Sequence, residues 1–279
     1  MNVFKINNKQ RHQRRLFYAG LFAALLLSIA SCKKTDDSPG DNGGNGDDAE
    51  ASFIPESGRK YQYAVEMEDG SKGTETRWIT GAKDSAGLRV YNLRTHLVYD
   101  DEQMDFNNGM YTADGKTFTR LVLPEKWNEV IDIFKAMEGV TVLEAAPIGF
   151  PVSQVMENAV KQGSKLTFAG PETQGMYLKY ELKSSDTDVD LYEMTQSIKQ
   201  HPGTVTKVET ITVPAGTFTC SKFESGNDIS SSTKINGNNV GGFDIHESLE
   251  VWVAHGVGVV KSISSTSTGM STTVLQKIE

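Results

Sequence analysis

Four histidines of the chain could bind a metal ion, but none of them has the spacing of a metal site. Structural zinc sites use cysteines or histidines a few residues apart, and many hydrolytic zinc sites carry an HExxH motif. The chain has no HExxH, and the candidate histidines are far apart in sequence: His96, His201, His246 and His255. The sequence therefore predicts no metal ion, and no motif indicates another cofactor.

The usual catalytic motifs are also missing from the sequence. There is no GxSxG, SxxK, P-loop or GxGxxG motif, and nothing nominates a pair of carboxylates. Cys220 lies in a strand-like run, and a reactive thiol would need a neighbouring basic group. A small buried hydrophobic residue is the simpler interpretation of Cys220. We predict a protein that is not an enzyme, with a hydrolase whose site is scattered along the chain as the alternative.

Residues 1–31 have the features of a secretory signal peptide. Basic residues precede an apolar run over 16–30, and small residues lead into Cys32. This run has about 15 residues, whereas a transmembrane helix needs roughly 20, so an uncleaved anchor is the weaker alternative. The sequence before Cys32 resembles the lipobox of bacterial lipoproteins. The resemblance implies that Cys32 is lipidated and becomes the mature N-terminus.

Residues 32–52 are rich in Gly, Asp and Asn and contain few apolar side chains, so we expect a disordered tether. The start of this segment resembles the export signal of Bacteroidota lipoproteins that reach the cell surface: Lys33, Lys34, Thr35, Asp36 and Asp37. The resemblance implies a surface-exposed lipoprotein of the outer membrane. Asp84-Ser85-Ala86 also resembles a short O-glycosylation motif of Bacteroidota exported proteins, which makes Ser85 a candidate for modification.

The charge balance argues against a nucleic-acid partner. The chain has 28 basic and 36 acidic residues, a net charge of −8. Removal of residues 1–31 takes away five basic and no acidic residues and leaves a net charge of −13. An acidic chain without a Lys/Arg stripe is a poor candidate for binding DNA or RNA. The predicted contact with the membrane is through the N-terminal lipid alone.

The pattern over residues 53–279 indicates a single β-rich domain. Tyr61, Tyr63 and Val65 alternate with polar residues, as on one face of a strand. Asp114-Gly115 is a strong signal for a tight hairpin turn. Residues 226–242 are treated as a loop.

Two segments, 125–138 and 152–162, have the apolar spacing of helices. A proline precedes each of them and a glycine follows. Each apolar stripe must be buried, so we predict two helices packed on one face of the sheet. Ordinary core packing is one interpretation. The other is a lid over a cavity, in which Trp127 and Phe134 point at the sheet.

Two stretches in the C-terminal half resemble motifs of the TapB-like group, exported proteins of unknown function. Residues 213–220 read VPAGTFTC, which is similar to VPAGTFxC. Residues 252–261 read WVAHGVGVVK, which is similar to WYAPGVGLVK, with His255 in place of proline. Motifs of Pro, Gly and apolar residues specify backbone shape. We therefore predict structural roles for Pro214, Gly216, Cys220, Gly256 and Gly258.

The predicted fold is mainly β: an antiparallel, strongly curved sheet or half-open barrel with two short helices over one face. A two-sheet β-sandwich is the alternative. The predicted function is that of an outer-membrane lipoprotein that binds an apolar or glycan ligand, or a partner protein. The alternative is a structural or assembly component of an outer-membrane complex, without a small ligand.

Overall fold

The structure, a computed structural model, describes residues 52–99, 102–123, 127–185 and 188–279. Cys32 and the predicted export signal at 33–37 lie outside these ranges. The described residues form fourteen strands and one helix. In chain order these are β1 (Lys60–Met67), β2 (Lys72–Ser85), β3 (Leu88–Tyr99), β4 (Glu102–Ala113), β5 (Lys116–Leu121), α1 (Trp127–Ala136), β6 (Val140–Ile148), β7 (Val152–Glu157), β8 (Lys165–Ala169), β9 (Thr173–Ser185), β10 (Asp188–Val213), β11 (Gly216–Ile235), β12 (Asn238–Ala254), β13 (Gly258–Thr266) and β14 (Gly269–Ile278).

Twelve of these strands form a closed antiparallel barrel. The pairing of β10 with β11 closes the ring β10-β11-β12-β13-β14-β1-β2-β3-β4-β5-β7-β8. The two remaining strands enlarge one side of the wall, because β9 pairs with residues 188–199 of β10 and β6 pairs with β9. The predicted antiparallel, barrel-like fold is confirmed.

One end of the barrel, the closed end, is filled with apolar side chains. The alternation predicted for β1 is present, and Tyr61 and Tyr63 point inward and are buried. Phe218, next to the β10–β11 turn, enters the same cluster. Phe53 from the segment before β1 completes it, and its backbone N–H donates to Thr117 Oγ1 at 3.1 Å.

At the opposite end the wall continues as a five-stranded sheet, here called the sheet extension. It consists of β6, β9 and residues 188–199, 227–235 and 238–248 of β10, β11 and β12. Its inner face continues the interior of the barrel. A second apolar cluster marks the junction: Leu121, Val152, Ile198 and Ile229.

The barrel interior also contains buried polar groups. Arg77 and Glu75 on β2 form a buried ion pair, and the Arg77 guanidinium lies 4.8 Å from the centre of the Tyr63 ring. The Glu247 carboxylate accepts hydrogen bonds from Asn227 Nδ2 at 2.7 Å and from Ser264 Oγ at 2.5 Å. These partners offset part of the cost of removing the charges from water.

The helix predicted over 152–162 is wrong. Residues 152–157 form β7, which pairs with β5 on one side and β8 on the other. Val152 and Met156 are buried on the inner face, and Val155 is buried on the outer face, opposite Phe118 of β5. A strand buried on both faces has a nearly continuous apolar sequence, which can be mistaken for helical spacing.

The loop assigned to residues 226–242 is also wrong. β11 continues to Ile235 and β12 begins at Asn238, with a tight turn at Asn236-Gly237 whose φ values are 51° and 81°. Asn-Gly is the preferred sequence for such a two-residue hairpin turn. The polar strands around it belong to the sheet extension, where only one face is buried.

Candidate functional site

The sheet extension presents an aromatic surface on its inner face. Tyr180 of β9 and Tyr192 of β10 are register partners, and their rings stack at 5.0 Å with an angle of 5°. Leu178 and Ile198, further along the same face, are buried, whereas both tyrosines are half-buried. The apolar interior of the barrel therefore ends in aromatic rings that remain partly accessible.

α1 lies over one side of this aromatic surface. The helix follows β5, contacts β6 and places the ring of Phe134 5.6 Å from the ring of Tyr180. A helix is present within the predicted range 125–138, and its Phe134 contacts Tyr180, while its role as a lid stays a prediction. The side chain of Trp127 lies outside the described part. The helices predicted as a lid thus reduce to one, because the second is β7.

At the closed end, the glycines predicted to shape the backbone do so. Gly256 and Gly258 have φ values of +74° and +115°, in the left-handed region that other residues rarely adopt. The carbonyl of Gly256 accepts hydrogen bonds from Tyr61 Oη at 3.0 Å and from the backbone N–H of Glu56 at 3.3 Å. The Gly256 N–H donates to the carbonyl of Ser52 at 3.3 Å. The β12–β13 turn therefore holds the segment before β1 across the end of the barrel.

The second motif turns the chain between β10 and β11. Val213 pairs with Gly216, which leaves Pro214 and Ala215 as the two turn residues. Gly216 has a φ of +139°, so glycine is favoured at this position as well. The turn returns the chain so that Phe218 and Cys220 enter the closed end.

Cys220 is fully buried, as the sequence predicted. Burial, and to a smaller degree the nearby Glu209 carboxylate, raises the pKa of the thiol to about 12. The thiolate is the nucleophilic form of cysteine. Because the Cys220 thiol keeps its proton near neutral pH, it is a poor nucleophile. Burial likewise raises the pKa of Tyr61 to about 12.

The outer wall brings together two histidines that are distant in sequence. His201 on β10 and His246 on β12 flank Asp228 on β11. His201 Nε2 donates to Asp228 Oδ2 at 2.7 Å, and His246 Nδ1 donates to Asp228 Oδ1 at 2.8 Å. These hydrogen bonds lower the pKa of the Asp228 carboxyl group. As they stand, no three His, Cys, Asp or Glu side chains of the described residues are arranged to hold a metal ion.

The remaining predicted positions lie apart from the aromatic surface. Ser85 is exposed at the end of β2, beside the turn at Ala86-Gly87.

One open groove of about 520 Å³ lies at the closed end between Pro55 and the turn at Asp114. Another of about 490 Å³ lies on the sheet extension and is lined mainly by polar residues such as Ser230 and Asp244. In the described part, no helix has the length and apolar character needed to cross a bilayer.

One protein-family model matches part of the chain. A family model described as DUF3108-like matches residues 165–275. This range contains both C-terminal motifs, while the resemblance to the TapB-like group stays a prediction. No curated protein matches the sequence.

Two solved structures are similar to the chain over most of its length. One is a candidate exported protein with a YmcC-like fold from Bacteroides fragilis, with 14% identity and a TM-score of 0.45. The other is a candidate lipoprotein from Parabacteroides distasonis, with 15% identity and a TM-score of 0.48. Each match covers 82% of this chain and 99% of the other.

Proposed function

We propose that this chain is an exported lipoprotein that binds an apolar ligand between α1 and the inner face of the sheet extension. The observation that carries the proposal is the half-buried aromatic surface of Phe134, Tyr180 and Tyr192. Ligand sites are typically apolar and aromatic surfaces that the protein leaves partly uncovered. The aromatic side chains in the core of the closed end, such as Phe53, Tyr61 and Phe218, are buried instead.

The arrangement of α1 suits entry of a ligand. The helix has ten residues and contacts mainly one strand, β6, so a small displacement would expose more of the inner face. The Phe134 and Tyr180 rings are 5.6 Å apart, so an acyl chain would enter only after α1 has moved, and it would then contact the stacked tyrosines on one side and Phe134 on the other. Removing apolar surface from water contributes about 25 cal/mol per Å², which is the driving force expected for this binding.

The proposal includes the location of the protein. The lipobox supports a lipid on Cys32, and the run from Lys33 to Asp37 supports a place on the cell surface. Full-length protein should partition into detergent, and a Cys32→Ala protein should accumulate as the uncleaved precursor. A mature N-terminus at any other residue would contradict the lipid anchor. Cleavage of the tether by external protease in intact cells would support surface exposure, and protection would contradict it.

Ligand binding can be tested with a fluorescent long-chain fatty acid. The mature chain from position 32, carrying Cys32→Ser to remove the lipid, should bind the probe at one saturable site. Phe134→Ala and Tyr192→Ala should each weaken binding roughly tenfold, the ratio for about 1.4 kcal/mol of lost contact. The matched control is Phe118→Ala, because Phe118 is also half-buried in a ring stack, with Tyr111 at 4.8 Å, but on the outer wall.

A second candidate is a structural component of an outer-membrane complex without a small ligand. The filled closed end favours it, as do the polar residues that line the groove on the sheet extension. Absence of saturable probe binding, or equal effects of Phe134→Ala and Phe118→Ala, would reject the apolar site and favour this candidate. The buried carboxylates of the described residues, Glu75 and Glu247, are each bonded to their own partners. They therefore give no support to the alternative of a hydrolase.

A further inference from the structure

We propose that His201, Asp228 and His246 bind one divalent transition-metal ion, of which Zn²⁺ is the representative. Imidazole nitrogen and carboxylate oxygen are ligands that zinc and its neighbours in the first transition series accept. On binding, two N–H···O hydrogen bonds are exchanged for two nitrogen–metal bonds and a carboxylate–metal bond. Each neutral imidazole keeps its single proton, which moves to the ring nitrogen that faces away from Asp228.

The side chains must rearrange to reach a metal-binding arrangement, because the two imidazoles bond to different oxygens of Asp228. Ligand atoms of a tetrahedral zinc ion with bonds of about 2.0–2.1 Å lie roughly 3.3 Å from one another. The two nitrogens lie 2.7 and 2.8 Å from different Asp228 oxygens, so each must withdraw by roughly half an ångström from its oxygen and both must turn toward one common point. The ring centroids are 6.3 Å apart, which rotation about the side-chain bonds can reduce. The hydrogen-bonded arrangement is therefore a resting form of the site.

Gly226 leaves the space that the rings need. It is the register partner of His201, and the His246 ring lies above it. A Cβ atom at position 226 would come 2.9 Å from the backbone carbonyl oxygen of Glu247, 3.2 Å from His246 Cε1 and 3.4 Å from Nε2. A side chain there would crowd the backbone of β12 as well as the imidazole of His246. The absence of a side chain keeps the gap between the two rings open.

The site is accessible to an ion from solution. The exposed fractions of the side chains are 38% for His201, 54% for Asp228 and 63% for His246. Three protein ligands leave at least one coordination position for water or for an external ligand. The three residues lie on adjacent strands of one sheet, so the backbone fixes their spacing before the ion arrives.

A second His–Asp pair on the barrel wall provides an internal control. His96 Nδ1 donates to Asp105 Oδ1 at 3.1 Å, and the two residues are register partners on β3 and β4. Here the second partner of the carboxylate is Arg94, with Nη2 3.3 Å from the same oxygen. A guanidinium group stays protonated and repels a cation. The pair of His96 and Asp105 should therefore not bind the ion, although it offers the same two kinds of ligand group, an imidazole and a carboxylate.

The test is a titration with Zn²⁺ alone of the mature chain that carries Cys32→Ser. Binding is measured by calorimetry or by competition with a coloured chelator. The substitution removes the thiol at position 32, and Cys220 is buried, so neither competes. We expect one ion per chain. His201→Gln and His246→Gln should each weaken binding by at least the roughly 10–100-fold typical for loss of an outer-sphere partner. His96→Gln should leave it unchanged.

Each outcome of this experiment decides the proposal. Unchanged melting temperatures of the glutamine variants without metal, expected for exposed positions, would show that weaker binding is due to lost ligands. A crystal of the Zn²⁺-loaded chain should show anomalous scattering between the three side chains. Absence of stoichiometric binding, or an affinity that His201→Gln and His246→Gln do not change, would overturn the proposal. An equal loss of affinity in His96→Gln would overturn it as well.

Discussion

The closed end and the sheet extension are built from the same antiparallel sheet but use their side chains differently. At the closed end, aromatic rings are buried, and burial raises the pKa values of Tyr61 and Cys220. In the sheet extension, Tyr180 and Tyr192 are half-buried, and the outer wall at its junction with the barrel carries an exposed His–Asp–His cluster. The residues of the two sequence motifs thus maintain the barrel, while the side chains able to meet a ligand lie elsewhere.

The largest expected effect is on a motif residue of the closed end. Phe218→Ala should lower the free energy of unfolding by about 3–5 kcal/mol, because it leaves a cavity in a close-packed cluster. Chemical denaturation of the mature chain carrying Cys32→Ser measures this difference. A cost below about 1 kcal/mol would mean that the closed end repacks easily and that the contrast with the sheet extension is smaller than described.

The second prediction concerns the backbone of the same region. Gly256→Val should cost about 1–3 kcal/mol, because a β-branched residue is strained at a φ of +74°. Gly241→Val is the matched control, since Gly241 is exposed, has no atom within 4 Å of a built Cβ and lies outside the left-handed region. Equal melting temperatures for the two variants would argue against a role of the β12–β13 turn in holding the segment before β1.

A third prediction concerns alkaline pH. In the unfolded chain Cys220 and Tyr61 ionise near their ordinary values, whereas in the folded chain they keep their protons up to about pH 12. The folded state therefore binds more protons between about pH 9 and 12, and stability falls as pH rises through this window. Cys220→Ala should make that fall less steep. Identical slopes of denaturation midpoint against pH would show that the thiol does not contribute.

The smallest expected effect on stability is at α1. Phe134→Ala should cost less than about 1.5 kcal/mol, because a half-buried ring loses only part of the free energy of full burial. The same substitution should still change binding of the fatty-acid probe. A cost as large as that of Phe218→Ala would mean that α1 is an integral part of the core and would remove the distinction between the two regions.

Regular alternation and turn sequences made much of the fold predictable. The alternation around Tyr61 and the Asp114-Gly115 turn were interpreted correctly, since each is a local signal. β7 was missed because burial on both faces removes the alternation, and β6 was missed because half of its side chains are exposed and irregular. His201, Asp228 and His246 could not be grouped from sequence, because only the register of β10, β11 and β12 places them together.

The pairing of β1 with β14 has a consequence for how the barrel is made. Tyr61 pairs with Ile278, and Lys60 exchanges two backbone hydrogen bonds of 2.9 Å with Glu279. About 200 residues separate these strands, so β1 cannot complete its pairing until β14 has also become available. Until then β1 has an unpaired edge, and such edges recruit other chains. Closure of the barrel by β14 is thus the step that removes this edge.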